Sequence, residues 1–170
     1  MSASAKKNYR PETRLVQSGT IRSPFGETSE ALFLTQGYVY DTAAQAEARF
    51  KGEDPGYQYS RFANPTVDMF ERRMAAFEGA EAARATATGM AAVTISLVGQ
   101  LKAGDHVVAS KAMFGSCRYV IEEYLPRFGV ASTLVDGCNL DAWRNAVRPN
   151  TKTFFLESPT NPALDVIDIQ

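Results

Sequence analysis

Histidine and cysteine are scarce, with one His and two Cys in 170 residues. Cys117 and Cys138 have neither C-x-x-C spacing nor a histidine cluster beside them, and His106 sits inside an apolar run. No metal centre is expected from them, and all three read as structural. A dominant charge is also lacking: 18 Lys and Arg against 19 Asp and Glu leave a formal net charge of −1, which gives no electrostatic basis for holding nucleic acid or an anionic membrane. No run of about 18 apolar residues is available to cross a bilayer. Lys6 and Lys7 are not followed by the apolar stretch of a secretory leader, so a cytoplasmic chain is expected, which also suits unpaired thiols. Neither G-x-x-x-x-G-K-[ST] nor G-x-G-x-x-G after a strand occurs, which removes two common nucleotide-binding loops.

What is present is the composition of an ordinary α/β protein, 45% apolar and 22% charged, long enough to bury a substantial core. Residues 1 to about 40 lack sustained periodicity and carry turn formers such as Ser23-Pro24-Phe25-Gly26, which predicts an extended arm with little structure of its own. Thr42 can cap a helix over 43–50, after which Gly52, Pro55 and Gly56 make a loop. Asn64 as N-cap and Pro65 at the first helical position open a helix whose expected inward face is Val67, Phe70, Met74 and Phe77, with Gly79 as its stop. Tyr59 and Arg61 stand just before it. They are either a surface arginine covering an aromatic edge or a hydroxyl and guanidinium reaching a phosphate.

From Ala82 the pattern alternates regularly. Strands are predicted over 82–87, 106–110, 130–135 and 153–157, and helices over 90–101, 116–127 and 141–147, with Val120, Ile121, Tyr124 and Leu125 of the second helix facing inward. Repeated β-α-β with nearly unbroken apolar strands predicts a mainly parallel sheet covered on both faces, with ligands at the carboxyl ends of its strands. Ala87-Thr88-Gly89-Met90-Ala91-Ala92 falls at such an end. Gly89 permits close backbone approach, and the first N–H groups of the following helix have no intrahelical acceptor, so the stretch is a candidate phosphate cradle. Phe114 and the segment Glu157 to Asn161 follow other strands and fall on the same rim, while 163–170 reads as a linker.

Four ordered segments carry a resemblance: Tyr59-Ser60-Arg61-Phe62-Ala63-Asn64-Pro65-Thr66, Thr88-Gly89-Met90-Ala91-Ala92, Lys102-Ala103-Gly104-Asp105-His106-Val107-Val108 and Glu157-Ser158-Pro159-Thr160-Asn161-Pro162. Together they resemble the Cys/Met-metabolism family of pyridoxal 5'-phosphate enzymes over almost the whole chain from about residue 12. Met113-Phe114-Gly115-Ser116-Cys117-Arg118-Tyr119 looks most like the O-succinylhomoserine sulfhydrylase branch. The resemblance implies the type I, aspartate-aminotransferase-like fold, incomplete here: an arm and partner-contacting segment over 1–62 and the first part of the cofactor-binding α/β domain over 63–170.

The resemblance further implies that the amides of Gly89 and Met90 hold the cofactor phosphate and that Tyr59 and Arg61 reach a neighbouring subunit's phosphate in a homo-oligomer built as a dimer of dimers. Phe114 stacks on the pyridine ring where most members carry tyrosine, which removes a phenol from acid–base work. Asn161 bonds the cofactor's phenolic oxygen, with Glu157 beside it. The implied reaction exchanges the acyl group of O-succinyl-L-homoserine for sulfide, giving L-homocysteine; cystathionine γ-synthase or γ-lyase chemistry, or a non-catalytic assembly subunit, are the alternatives. Lys6, Lys7, Lys51, Lys102, Lys111 and Lys152 do not match the family's Schiff-base lysine. Nor is there a counterpart of its pyridinium-pairing aspartate or carboxylate-binding arginine, so the chain is expected to be an N-terminal part, without turnover by itself.

Overall fold

A computed structural model describes residues 9–169, so Lys6 and Lys7 lie outside the described residues. The chain forms two compact units, Met1–Ala85 and Thr86–Gln170. The helix that begins at Pro65 packs on the one that begins at Pro11, within the first unit.

In the first unit, α1 (Pro11–Gln17) begins with proline at its first turn, α2 (Ala43–Phe50) is capped by Thr42, whose side chain accepts from Gln45 N, and α3 (Pro65–Glu78) is capped by Asn64 and stopped by Gly79 in the left-handed region. The arm has structure that its lack of periodicity hid. Helix α1 lies on α3 through Gly19, whose φ of +74° suits glycine and where a Cβ would come within 2.7 Å of the Met69 carbonyl oxygen. Arg73 then fastens the following segment: it donates to Ser18 O at 3.0 Å and Thr20 Oγ1 at 3.2 Å and pairs with Glu30. Further along, Asn64 Nδ2 donates to Phe33 O at 2.9 Å, and Thr66 Oγ1 accepts from Phe33 N at 2.8 Å.

This packing rotates α3 away from its expected orientation. Met69 is buried, whereas Val67, Phe70 and Phe77 are 42%, 54% and 39% exposed, because the arm occupies the Met69–Arg73 side.

In the second unit, α4 (Gly89–Val98) leads into β1 (His106–Ser110). Helix α5 (Gly115–Tyr119) continues as a π turn over Val120–Tyr124 and a 3-10 turn over Leu125–Phe128, followed by β2 (Ala131–Val135), α6 (Leu140–Ala146) and β3 (Thr151–Phe155). The sheet is parallel, in the order β2-β1-β3. The small residues 82–87 form no strand: they have little side chain to pack, and no described strand pairs with them.

All five residues of β1 are buried, as a central parallel strand requires. Its two faces have different partners. Val107 and Ala109 join Leu97, Cys117, Val120, Ile121, Leu125 and Val130 in one apolar core beneath α4 and α5. On the other face Trp143 of α6 meets the Phe154 ring edge-on at 5.8 Å. His106, fully buried on that second face, is bonded at both ring nitrogens, Nδ1 to Thr151 Oγ1 at 2.8 Å and Nε2 to Thr133 Oγ1 at 2.9 Å. It is a strand-to-strand brace. Burial, with the Arg148 charge adding to it, lowers its pKa below the usual imidazole range.

The segment after β3 folds back instead of leading away. Thr160 N donates to Asp165 O and Asp165 N to Thr160 Oγ1, both at 2.9 Å, and Ser158 Oγ accepts from Ile167 N at 3.0 Å. Thr160 and Ile167 are buried, so residues 158–167 form a closed loop and not a linker.

Candidate functional site

The rim is built by three local structures of the second unit. At the first, Thr88 is the extended N-cap of α4; its Oγ1 accepts from Ala91 N at 3.0 Å and its carbonyl from Ala92 N at 3.1 Å. That leaves the N–H groups of Gly89 and Met90 without an acceptor among the described residues. A Cβ placed at Gly89 would meet nothing within 4 Å. Two free donors, a helix dipole and open space at the glycine are the features an anion cradle needs.

The second structure follows β1. Met113 is buried against the core and fixes the chain just before Phe114, the N-cap of α5, whose side chain stays 43% exposed. Phe114 therefore presents an aromatic face at the rim.

The third follows β3. Glu157 Oε1 accepts from Phe114 N at 2.9 Å and Oε2 from Asn161 N at 3.1 Å, so one carboxylate joins the loops of two strands. Cys117 is buried; burial pushes its thiol pKa up and the nearby Glu157 carboxylate adds to this, which makes it an unreactive core thiol. The Ser158–Pro159 and Asn161–Pro162 peptide bonds are cis. Phe114, Glu157 and Asn161 are thus brought together at one end of the parallel sheet.

Tyr59 and Arg61 belong to the first unit. Their loop is held by an antiparallel bridge between Tyr59 and Gly37, by Ser60 N donating to Gln36 O at 2.9 Å, and by Tyr57 Oη donating to Asp68 Oδ2 at 2.7 Å. Burial and the Asp68 hydrogen bond push the Tyr57 phenol up to about 12, so it stays protonated as a donor. Arg61 lies 4.6 Å from the Phe62 ring centroid and 5.8 Å from that of Tyr59, and makes no ion pair among the described residues. It lines an open groove of about 940 Å³ in which the neighbouring Arg72 and Arg84 are paired with Asp68 and Glu71. Of the alternatives posed for Arg61, the cover over aromatic rings is what the first unit shows.

Residue reasoning passed over Thr88, Ser158 and Thr160. Thr88 carried a signal, a threonine immediately before a helix. Ser158 and Thr160 did not, since their partners at 165–167 are set by the folded-back loop.

Comparison with known proteins identifies the family. Residues 12–170 match the family model described as Cys/Met metabolism PLP-dependent enzyme. An O-succinylhomoserine sulfhydrylase of Mycobacterium tuberculosis (strain CDC 1551 / Oshkosh) is 51% identical over 154 residues, 91% of this chain and 38% of the relative. One from Pseudomonas aeruginosa is 49% identical over 158 residues, 93% of this chain and 39% of the relative. Among solved structures, an O-acetylhomoserine (thiol)-lyase from Campylobacter jejuni, carrying N'-pyridoxyl-lysine-5'-monophosphate, superposes with a TM-score of 0.88 at 31% identity over 95% of this chain and 40% of its own. The chain thus spans about two-fifths of the length of these relatives. The chain therefore belongs to the Cys/Met metabolism PLP-dependent enzyme family.

Proposed function

We propose that the whole protein binds pyridoxal 5'-phosphate and replaces the succinyl group of O-succinyl-L-homoserine with sulfide, yielding L-homocysteine and succinate. The observation that carries the reading is the rim of the second unit, where unpartnered N–H groups, an exposed aromatic face and an asparagine follow successive α/β elements. The choice of substrate rests on the two sulfhydrylases at about half identity.

The residues present fit the cofactor. Gly89 and Met90 would donate two backbone hydrogen bonds to its phosphate from a helix N-terminus with no side chain in the way. Phe114 offers a ring face for stacking and no hydroxyl, so it orients without exchanging protons. Asn161 supplies an amide from a turn fixed at Glu157 and Thr160. Tyr59 and Arg61 contribute a hydroxyl and a charge to the phosphate of a second copy, which makes the active assembly at least a dimer. When bound, the cofactor supplies an electron sink for negative charge on the substrate carbons.

The test is to incubate the purified full-length protein and cofactor with O-succinylhomoserine and sulfide and to quantify homocysteine and succinate. O-acetylhomoserine as donor and cysteine as nucleophile serve as competitors. Preferred use of cysteine would replace this reading with cystathionine synthesis, and absence of both products would overturn it.

A further inference from the structure

Glu157 differs from the other rim residues in how it is occupied. Its two carboxylate oxygens are taken by two backbone N–H groups from loops that follow different strands, Phe114 N at 2.9 Å and Asn161 N at 3.1 Å. Among the described residues no other hydrogen bond joins those two loops. Burial does not place the rim side chains either: Phe114 is 43% exposed, and Asn161 is exposed. We propose that Glu157 is a positioning residue, a two-point brace that sets the spacing between the Phe114 ring and the Asn161 amide and so fixes the orientation of the cofactor ring between them. The proposal rests on the functional reading above for the identity of that ring.

The chemistry of the brace demands a carboxylate at this reach. An ionised carboxylate is acceptor-only and can satisfy two N–H groups at once, with charge-assisted bonds stronger than neutral ones. Glutamine would keep one acceptor and turn an NH₂ group against the other N–H. Aspartate would keep both acceptors but lose one methylene of reach, so that it spans one loop and not the pair. Glu157 is itself half-buried and is held by both backbone partners.

The experiment compares the full-length protein with its E157Q and E157D variants. Amide hydrogen exchange at Phe114 and Asn161 is read without cofactor; the visible circular dichroism of the bound cofactor and its dissociation constant are read with it. Exchange accelerating about tenfold or more in E157Q at the amide that faces the new NH₂ group, the loss expected for a charge-assisted hydrogen bond, together with a changed dichroic band, is the expected result. E157D should recover protection at one amide only, and it carries the test if E157Q does not fold. Unchanged exchange at both amides overturns the brace. Fast exchange with an unaltered band and dissociation constant overturns its positioning role. A parent protein that takes up no pyridoxal phosphate overturns the functional reading and leaves the amide arm to decide the brace by itself.

Discussion

Gly89→Ala separates folding from binding at the cradle. Gly89 is the first residue of α4, lies outside the left-handed region, and has no atom within 4 Å of the position its Cβ would take. Alanine there clashes with nothing and removes backbone freedom from the unfolded chain, a change worth about 0.4–1 kcal/mol in favour of folding. For a chain of this size that is a rise in Tm of roughly 1–4 °C. The same methyl projects into the space through which a phosphate must approach the N–H groups of Gly89 and Met90. Losing one hydrogen bond to a charged group removes about 1.5–3 kcal/mol, which is roughly a tenfold to a hundredfold loss of affinity. Thermal unfolding without cofactor and equilibrium dialysis with pyridoxal phosphate read the two effects separately. An unchanged dissociation constant would show that the anion does not sit on this helix terminus, and a lowered Tm would show that Gly89 is needed for packing.

Three further outcomes follow from the second unit. His106 has a pKa lowered from 6.5 by burial, so it binds a proton more readily unfolded than folded; its contribution should be complete above pH 6.5 and lost as pH falls from there through the folded value, and urea titrations of the parent and H106Q at several pH values should converge in acid. Ile121→Ala, at a fully buried site in the core beneath β1, should cost about 2–5 kcal/mol by denaturant unfolding. Thr153 Oγ1 is buried with no hydrogen-bond partner among the described residues, so Thr153→Val should raise stability by roughly 1 kcal/mol or more, with a lowered denaturation midpoint as the contrary result.

How legible these features were depends on whether their cause is local. The caps at Thr42 and Asn64, the stop at Gly79 and the three strands of the sheet were readable because each rests on a side chain or period within a few residues. The arm was not. Helix α1 spans only Pro11–Gln17, too short for a periodic signal, and is held by Arg73 and Gly19 contacting residues far away in the chain. The same distance rule turned the α3 face: its apolar positions were visible, but which of them the arm would cover was not. At the rim, Gly89 and Asn161 could be picked out by residue type and motif, whereas the link from Glu157 to Phe114 spans 43 residues and exists only once β1 and β3 lie side by side.

The bond pattern at His106 also bears on how the sheet finds its alignment. Strands of five residues offer few contacts by which to choose among pairings, and a slip of one residue in a neighbour turns its side chains to the opposite face. Here such a slip would take Thr133 or Thr151 away and strand a ring nitrogen in the interior, a penalty of about 1–3 kcal/mol for each buried group left unmet. The observed alignment of the three strands meets both demands of the imidazole. A buried histidine thus adds a polar lock to the register of the sheet on which the rim is built.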